Sequence, residues 1–211
     1  VAATFFKNAA KRGAKLIVMD PRGHSLKKYA THMLQFKPGA DVALLNSILN
    51  VIVQEKLYNE EYINEHTLGF DELKKDLLSF TPEKMQKITG IEPSMIRQVA
   101  RTFAQTDKGI IFWGMGISQH VHGTDNARCL ISLALMTGNV GRRGSGLHPL
   151  RGQNNVQGAS DAGLIPMMYP DYELVEKNSN KEFFEKFWEK ELNPHKGLTV
   201  VEIMNAIHDE Q

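Results

Sequence analysis

Between His148 and Gly163 the chain reads His-Pro-Leu-Arg-Gly-Gln-Asn-Asn-Val-Gln-Gly-Ala-Ser-Asp-Ala-Gly, a run of amides, small residues and one guanidinium. A soluble core has no use for such a run, whereas a polar ligand does. Carboxamides offer donors and acceptors side by side, so Gln153, Asn154, Asn155 and Gln157 suit the edge of a polar heterocycle. The interspersed glycines let backbone come close to it. Arg151 keeps its charge at any ordinary pH, and its forked N–H groups fit a small carboxylate or a phosphate. On an ordinary surface loop Arg151 would simply lie in solvent; the concentration of amides around it favours a binding site.

Three shorter stretches carry weaker signals. Asp20-Pro21-Arg22 could take the edge of a guanine with its carboxylate and a phosphate or base face with its guanidinium. The competing reading is an Asx-Pro turn with a solvated arginine. In Lys37-Pro38-Gly39-Ala40-Asp41 the aspartate sits where a helix N-cap belongs, worth ~1 kcal/mol, or else its carboxylate faces a purine amino group. Trp113-Gly114-Met115-Gly116-Ile117-Ser118-Gln119-His120 has glycines that permit close backbone approach, but Gln119 stands where a dinucleotide fingerprint needs its third glycine. His120 and His122 are two apart on a loop, a poor spacing for a metal without further ligands.

These residues need a frame. Helical spacing over 2–12, closed by Gly13, is followed by the apolar run Lys15–Met19, which predicts a buried strand of a parallel sheet. Asp20-Pro21-Arg22 then lies at a strand's carboxyl end, where open α/β sheets bind ligands. A second strand is expected at 32–36, and a helix from Asp41 through Val42, Leu45, Ile48, Leu49 and Ile52. Several short helices fill 59–107, with Thr81-Pro82 and Glu92-Pro93 as starts. Residues 108–113 predict another strand, with Gly114-Met115-Gly116 at its carboxyl end, and 124–137 a helix closed by Gly138-Asn139. The glycine-punctuated stretch from 138 to 163 reads as a long functional loop. From Tyr172 the pattern is helical again, with an aromatic face of Phe183, Phe184, Phe187 and Trp188 and a last amphipathic helix carrying Val200, Ile203, Met204 and Ile207. The expectation is an α/β protein: a partial Rossmann-like three-layer domain with parallel strands over 1–147, then the start of a second α/β lobe over 148–211.

Composition narrows the classes further. With 211 residues, 42% hydrophobic and 23% charged, the chain can build a core and is not of disordered type. Twenty-five basic against twenty-four acidic residues leave a formal charge of +1, so no whole-molecule field draws it to nucleic acid or a membrane surface. No apolar run reaches membrane-spanning length. The single cysteine, Cys129, excludes a disulfide framework, and its apolar neighbourhood predicts a buried thiol. The opening Val-Ala-Ala-Thr-Phe-Phe-Lys is not a signal peptide and has no initiator methionine, which predicts that the chain begins inside a longer protein.

Taken together, the order DPR, PGxD, WGMGxxQ, TGNxGRxGxG and LRGQNNVQGAxDxG resembles the molybdopterin oxidoreductases that carry two guanine dinucleotides, and within them the formate dehydrogenase catalytic subunit. The last motif is the specific one: the related nitrate reductases have a threonine at the position of Arg151. The resemblance implies that Asp20, Arg22 and Asp41 hold a guanosine end and that Gly114, Met115, Gly116 and Gln119 line the cofactor near the metal. It implies that Gln153, Asn154, Asn155 and Gln157 contact pterin or pyrophosphate. Arg151 would orient formate beside molybdenum or tungsten as an electrostatic clamp, since it cannot give up its proton. It further implies a 4Fe-4S cluster and a Cys or selenocysteine metal ligand elsewhere in the parent, an electron-transfer subunit or domain as partner, and a cytoplasmic location like that of the family's soluble members. No metal ligand is expected within this segment, and the segment alone is expected to be inactive. Two rivals stand beside this reading: another molybdopterin oxidoreductase, nitrate reductase-like, acting on a different small oxoanion or acid, and a nucleotide-binding module without redox chemistry.

Overall fold

The computed structural model describes residues 2–209. It is a mixed α/β protein whose strands pair in parallel, and it divides into two compact units, Val1–Leu150 and Arg151–Gln211.

The first unit is organised around one helix. α1 (Ala2–Lys11) ends at Gly13 and leads to β1 (Ile17–Met19), which pairs in parallel with β2 (His32–Leu34) in the register Ile17 to His32. Next come α2 (Asp41–Gln54), α3 (Glu60–His66), α4 (Phe70–Leu77), α5 (Pro82–Thr89) and α6 (Pro93–Ala104). β3 (Ile110–Trp113), the short α7 (Met115–Ser118), α8 (Gly123–Met136) and β4 (Gly146–Pro149) complete it, β4 running parallel to β3 with Ile110 opposite Gly146.

α2 is apolar nearly all round: Leu44, Leu45, Ile48, Leu49, Val51 and Ile52 are all buried, as a central helix requires. It packs on α4, α5, α6 and α8, and the cluster extends through Leu34, Ile96, Val99, Leu130, Leu133 and Met136. Fully burying each such Leu or Ile contributes roughly 1.5–3 kcal/mol, so this helix holds the frame under the loops that matter. The buried Asn50 donates to the Leu77 carbonyl at 2.9 Å and ties α2 to the end of α4.

The expected starts at Thr81-Pro82 and Glu92-Pro93 are observed as the caps of α5 and α6, and the Thr81 hydroxyl accepts from the Lys84 amide. Three local expectations are corrected. Ala40, not Asp41, is the cap residue of α2; Asp41 is already helical, and its carboxylate does not turn back onto the first-turn amides. β1 is half-buried rather than buried, and in β3 only Ile111 is buried, so neither strand is covered on both faces within this unit. The stretch 138–163 is not one loop, because it contains β4 and α9 (Val156–Asp161). Both were hidden by glycine and proline, which suppress strand and helix signals although β4 needs only to lie along the edge of β3.

In the second unit α9 is followed by a 3-10 turn at Pro170–Tyr172, then α10 (Asn178–Trp188) and α11 (Val200–His208). Isolated bridges join Ile165 to Met168 and Met168 to Leu174. Its core is small: Tyr169, Val175 and Phe184 are buried, with Leu192 against them. Among the described residues no helix is long and apolar enough to cross a membrane.

Candidate functional site

Asp20 follows the last residue of β1, and its amide donates to the Leu34 carbonyl at 3.2 Å, which fixes the strand end. One carboxylate oxygen accepts from the Arg22 amide at 2.8 Å and from Arg22 Nε at 3.2 Å; the other accepts from Arg22 Nη2 at 3.3 Å. The Asx turn is therefore real, and the arginine folds back onto the aspartate rather than floating free. This hydrogen bond holds the Asp20 carboxyl below its ordinary range. The Arg22 side chain remains largely in solvent, so the pair presents a cation with its orientation already set.

Asp41 shows a different environment. Only 10% of its side chain is exposed, and among the described residues its carboxylate accepts no hydrogen bond. Facing it is His120 of the loop after α7, with Nε2 at 3.8 Å from Oδ2. The His120 Nδ1 accepts from the His122 amide at 3.2 Å, so in the neutral ring the proton sits on Nε2, toward Asp41. Buried carboxylates are normally satisfied by donors, and one left with a lone imidazole at contact range has capacity for donors from outside the chain. Sequence pattern had kept Asp41 and His120 apart; the fold brings them together because α2 and the α7–α8 junction meet at this end of the unit. The one available signal was that His120 directly follows Gln119.

Gly114 caps α7 at the carboxyl end of β3, and Met115, Gly116 and Gln119 lie on its exposed side. Neither Gly114 nor Gly116 has the left-handed backbone that demands glycine, and a Cβ at either would meet no atom within 4 Å. Their bare backbone faces open space. By contrast, a Cβ at Gly123 would lie 2.1 Å from the Ser118 carbonyl oxygen, so that glycine is required by the tight α7–α8 junction. Trp113 Nε1 donates to Ser118 Oγ at 3.2 Å, and the fully buried Asn126 donates to the Ile117 carbonyl at 3.1 Å, holding the loop from inside. Among the described residues no group of three potential metal ligands converges, His120 and His122 included.

Cys129 is buried on α8 and directs its thiol at Asn46 Oδ1, 3.3 Å away. Burial, reinforced by Asp125, pushes the thiol up to about 11, so it is neither a ready nucleophile nor a ready ligand.

In the second unit Arg151, Gln153, Asn154 and Asn155 are exposed. Asn155 adopts the left-handed conformation (φ 53°) that asparagine tolerates and starts α9. Its side chain lies so close to Gly158 that a Cβ there would be 2.5 Å from Oδ1, which explains the glycine four residues before Ala162. Gln153 and Asn154 make no side-chain hydrogen bond among the described residues. Arg151 Nη2 donates to Gln157 Oε1 at 3.0 Å, and Gln157 Nε2 donates onward to Asp161 and Tyr172, both at 2.9 Å. Arg151 and Gln157 are thus joined; Asp161 and Tyr172 are partners that the sequence reading did not single out.

The molybdopterin oxidoreductase family model matches residues 1–211. The chain is 42% identical to the F420-dependent formate dehydrogenase subunit alpha of Methanocaldococcus jannaschii over 93% of its length, and 42% identical to formate dehydrogenase H of Escherichia coli over 100%. It spans only 29% and 30% of those two relatives. Among solved structures, acetylene hydratase from Pelobacter acetylenicus superposes with a TM-score of 0.65 at 31% identity, covering 68% of this chain and 20% of that one.

Proposed function

We propose, on the premise that this chain belongs to the molybdopterin oxidoreductase family, that it is a segment of the catalytic subunit of a formate dehydrogenase. The observation that carries the choice of substrate is Arg151: an exposed guanidinium, held from one side by Gln157, in a loop otherwise made of amides. Formate is a planar carboxylate that such a fork can hold with two parallel hydrogen bonds. The names of the relatives in Methanocaldococcus jannaschii and Escherichia coli point the same way.

The chain's residues fit the dinucleotide end of the cofactor. Asp41, nine-tenths buried and given no hydrogen bond by the described residues, suits the N–H edge of a guanine, and the pre-oriented Arg22 suits a phosphate or the base face. The open backbone at Gly114 and Gly116, with Met115 and Gln119 beside it, allows close approach of the pterin portion. Gln153, Asn154 and Asn155 supply further donors and acceptors. When bound, the molybdenum or tungsten centre with its two guanine dinucleotides supplies the two-electron oxidation of formate to carbon dioxide. Arg151 orients the substrate and offsets its charge without donating or accepting a proton. The reading includes a 4Fe-4S cluster elsewhere in the parent, electron delivery to a further subunit or domain, and a cytoplasmic enzyme. It also takes 148–211 as the start of the second lobe.

One observation favours a second reading, in which the parent acts on another small substrate: the structural neighbour at 31% identity bears the name of a hydratase. The two separate cleanly. Metal analysis and formate-dependent dye reduction on the full-length subunit should show molybdenum or tungsten together with turnover; metal without formate-dependent reduction favours the second reading, and absence of both metals sinks both. Arg151→Lys should lower kcat/KM for formate by about a hundredfold, the size of a lost bidentate charge-assisted contact, with cofactor content intact. Equal loss of cofactor would show that Arg151 holds the pterin instead.

A further inference from the structure

We propose that Gln157, Asp161 and Tyr172 form a hydrogen-bonded relay that fixes the Arg151 guanidinium, which makes them positioning residues for the anion it binds; this rests on the reading of Arg151 as the formate clamp. All four residues lie in the second unit. Arg151 Nη2 donates to Gln157 Oε1 at 3.0 Å, Gln157 Nε2 donates to Asp161 Oδ1 and to the Tyr172 hydroxyl at 2.9 Å each, and that hydroxyl donates to Asp161 Oδ1 at 2.9 Å.

The chemistry admits one arrangement of protons. A guanidinium only donates and a carboxylate only accepts, so the Gln157 amide must turn its oxygen to Arg151 and its nitrogen to Asp161. Both N–H bonds of that nitrogen are then used, one on Asp161 and one on the Tyr172 oxygen, and the Tyr172 proton goes to Asp161. Every polar atom of the exposed Gln157 side chain already has a partner within the chain, which leaves it to Arg151 rather than to the cofactor. The carboxylate at the far end polarises the amide and strengthens its bond to the guanidinium. Arg151 uses one of its five N–H bonds here, so its fork remains able to close on a planar carboxylate.

The backbone is built to deliver the phenol. Gln157 and Asp161 are four apart on α9 and share a face. Tyr172 reaches them only because Asp171 (φ 62°) and Tyr172 (φ 59°) are consecutive non-glycine residues in the left-handed region. Such strain persists where surrounding contacts over-determine it, and it is found at sites that must aim a group. Gly163 presses this turn against the end of α9; a Cβ there would lie 2.6 Å from the Pro170 nitrogen. The hydrogen bond to Asp161 also raises the Tyr172 phenol above its ordinary range, keeping it a donor.

The test uses the full-length holoenzyme with Tyr172→Phe, Asp161→Asn and Arg151→Lys. Tyr172→Phe and Asp161→Asn should each raise KM for formate about tenfold, change kcat less than about twofold, and leave metal and pterin content unchanged. Combining Tyr172→Phe with Arg151→Lys should add nothing to Arg151→Lys alone, because the relay acts through that one side chain. In the cofactor-free subunit, phenylglyoxal labelling of Arg151, followed by peptide mass spectrometry, should quicken in both relay variants. If Arg151→Lys impairs formate turnover but the relay variants leave KM and labelling untouched, the relay is wrong while the formate reading stands. If Arg151→Lys itself leaves formate kinetics unchanged, the formate reading fails and this inference with it. Parallel loss of kcat and cofactor in the relay variants would mark them as structural and overturn the proposal.

Discussion

At the residue scale the chain separates charges that are satisfied from charges that are waiting. Asp20 has three contacts from Arg22, whereas among the described residues Asp41, more deeply placed, has none but the edge of His120. Removing a buried charge that lacks donors costs the fold little, while removing a ligand's partner costs the ligand much. Asp41→Asn should therefore leave the melting temperature of the cofactor-free subunit within what ~1 kcal/mol would shift. On the proposed reading of Asp41 as a guanine contact, it should also reduce guanine nucleotide released per denatured holoenzyme by about tenfold or more. A large stability loss with full cofactor retention would assign Asp41 to the fold. Cys129 gives a pH prediction. Its folded thiol titrates at about 11 against 9.0 for an unperturbed one. The folded state therefore prefers the protonated form, and the associated stability is fully present below pH 9 and lost as pH rises toward 11. Thermal melts across that window should fall more steeply for the wild type than for Cys129→Ala, and native alkylation at pH 8 should be slow.

Elements decide which of these residues meet. Asn139, fully buried after α8, accepts from the Gly109 amide at 2.8 Å and donates to Thr137 Oγ1 at 2.8 Å, so one side chain ties the end of α8 to the start of β3. Asn139→Ala leaves a buried amide without its acceptor and should cost roughly 1–3 kcal/mol in denaturant unfolding. Asp171→Gly should do the reverse and stabilise the chain by about 1 kcal/mol, since glycine adopts φ 62° without strain. Helix boundaries, the strand-end position of Asp20-Pro21-Arg22 and the Gly138-Asn139 stop were legible in the sequence because capping and apolar spacing are local. Gly138 does take the left-handed φ of 65°, and the Asn139 amide returns to the Ala134 carbonyl. β4 was not legible, because its Gly-Leu-His-Pro has no strand pattern of its own and exists as a strand only beside β3. The meetings of Asp41 with His120 and of Tyr172 with Gln157 were hidden for the same reason: each depends on a tertiary junction or a strained turn that leaves no periodic trace. Arg151 stands out in the sequence as a lone guanidinium among amides, and the formate-binding role built on it is the proposal made above.

Across the whole molecule, burial is unequal, and that inequality is itself testable. The first unit buries α2 on every side, with Leu44, Ile48, Leu49 and Ile52 at 1% exposure or less. In the second unit α11 has no buried residue: Val200, Val201, Ile203, Met204 and Ile207 are all exposed, although Thr199 and Glu202 form a complete capping box. A cap fixes where a helix begins but contributes only ~1 kcal/mol, and a nine-residue helix without packing is marginal in water. Backbone amides of α2 should therefore exchange with solvent only through global unfolding, while those of α11 exchange through local opening at least about a hundredfold faster in the same 211-residue chain. Hydrogen–deuterium exchange read by mass spectrometry makes the comparison directly. Leu49→Ala should accelerate exchange in α2 and its neighbours by the factor that corresponds to a 2–5 kcal/mol cavity loss, about thirtyfold or more, and leave α11 unchanged. Equal protection of α2 and α11 would mean that the capping box and its neighbours secure the last helix far better than its exposed apolar face allows.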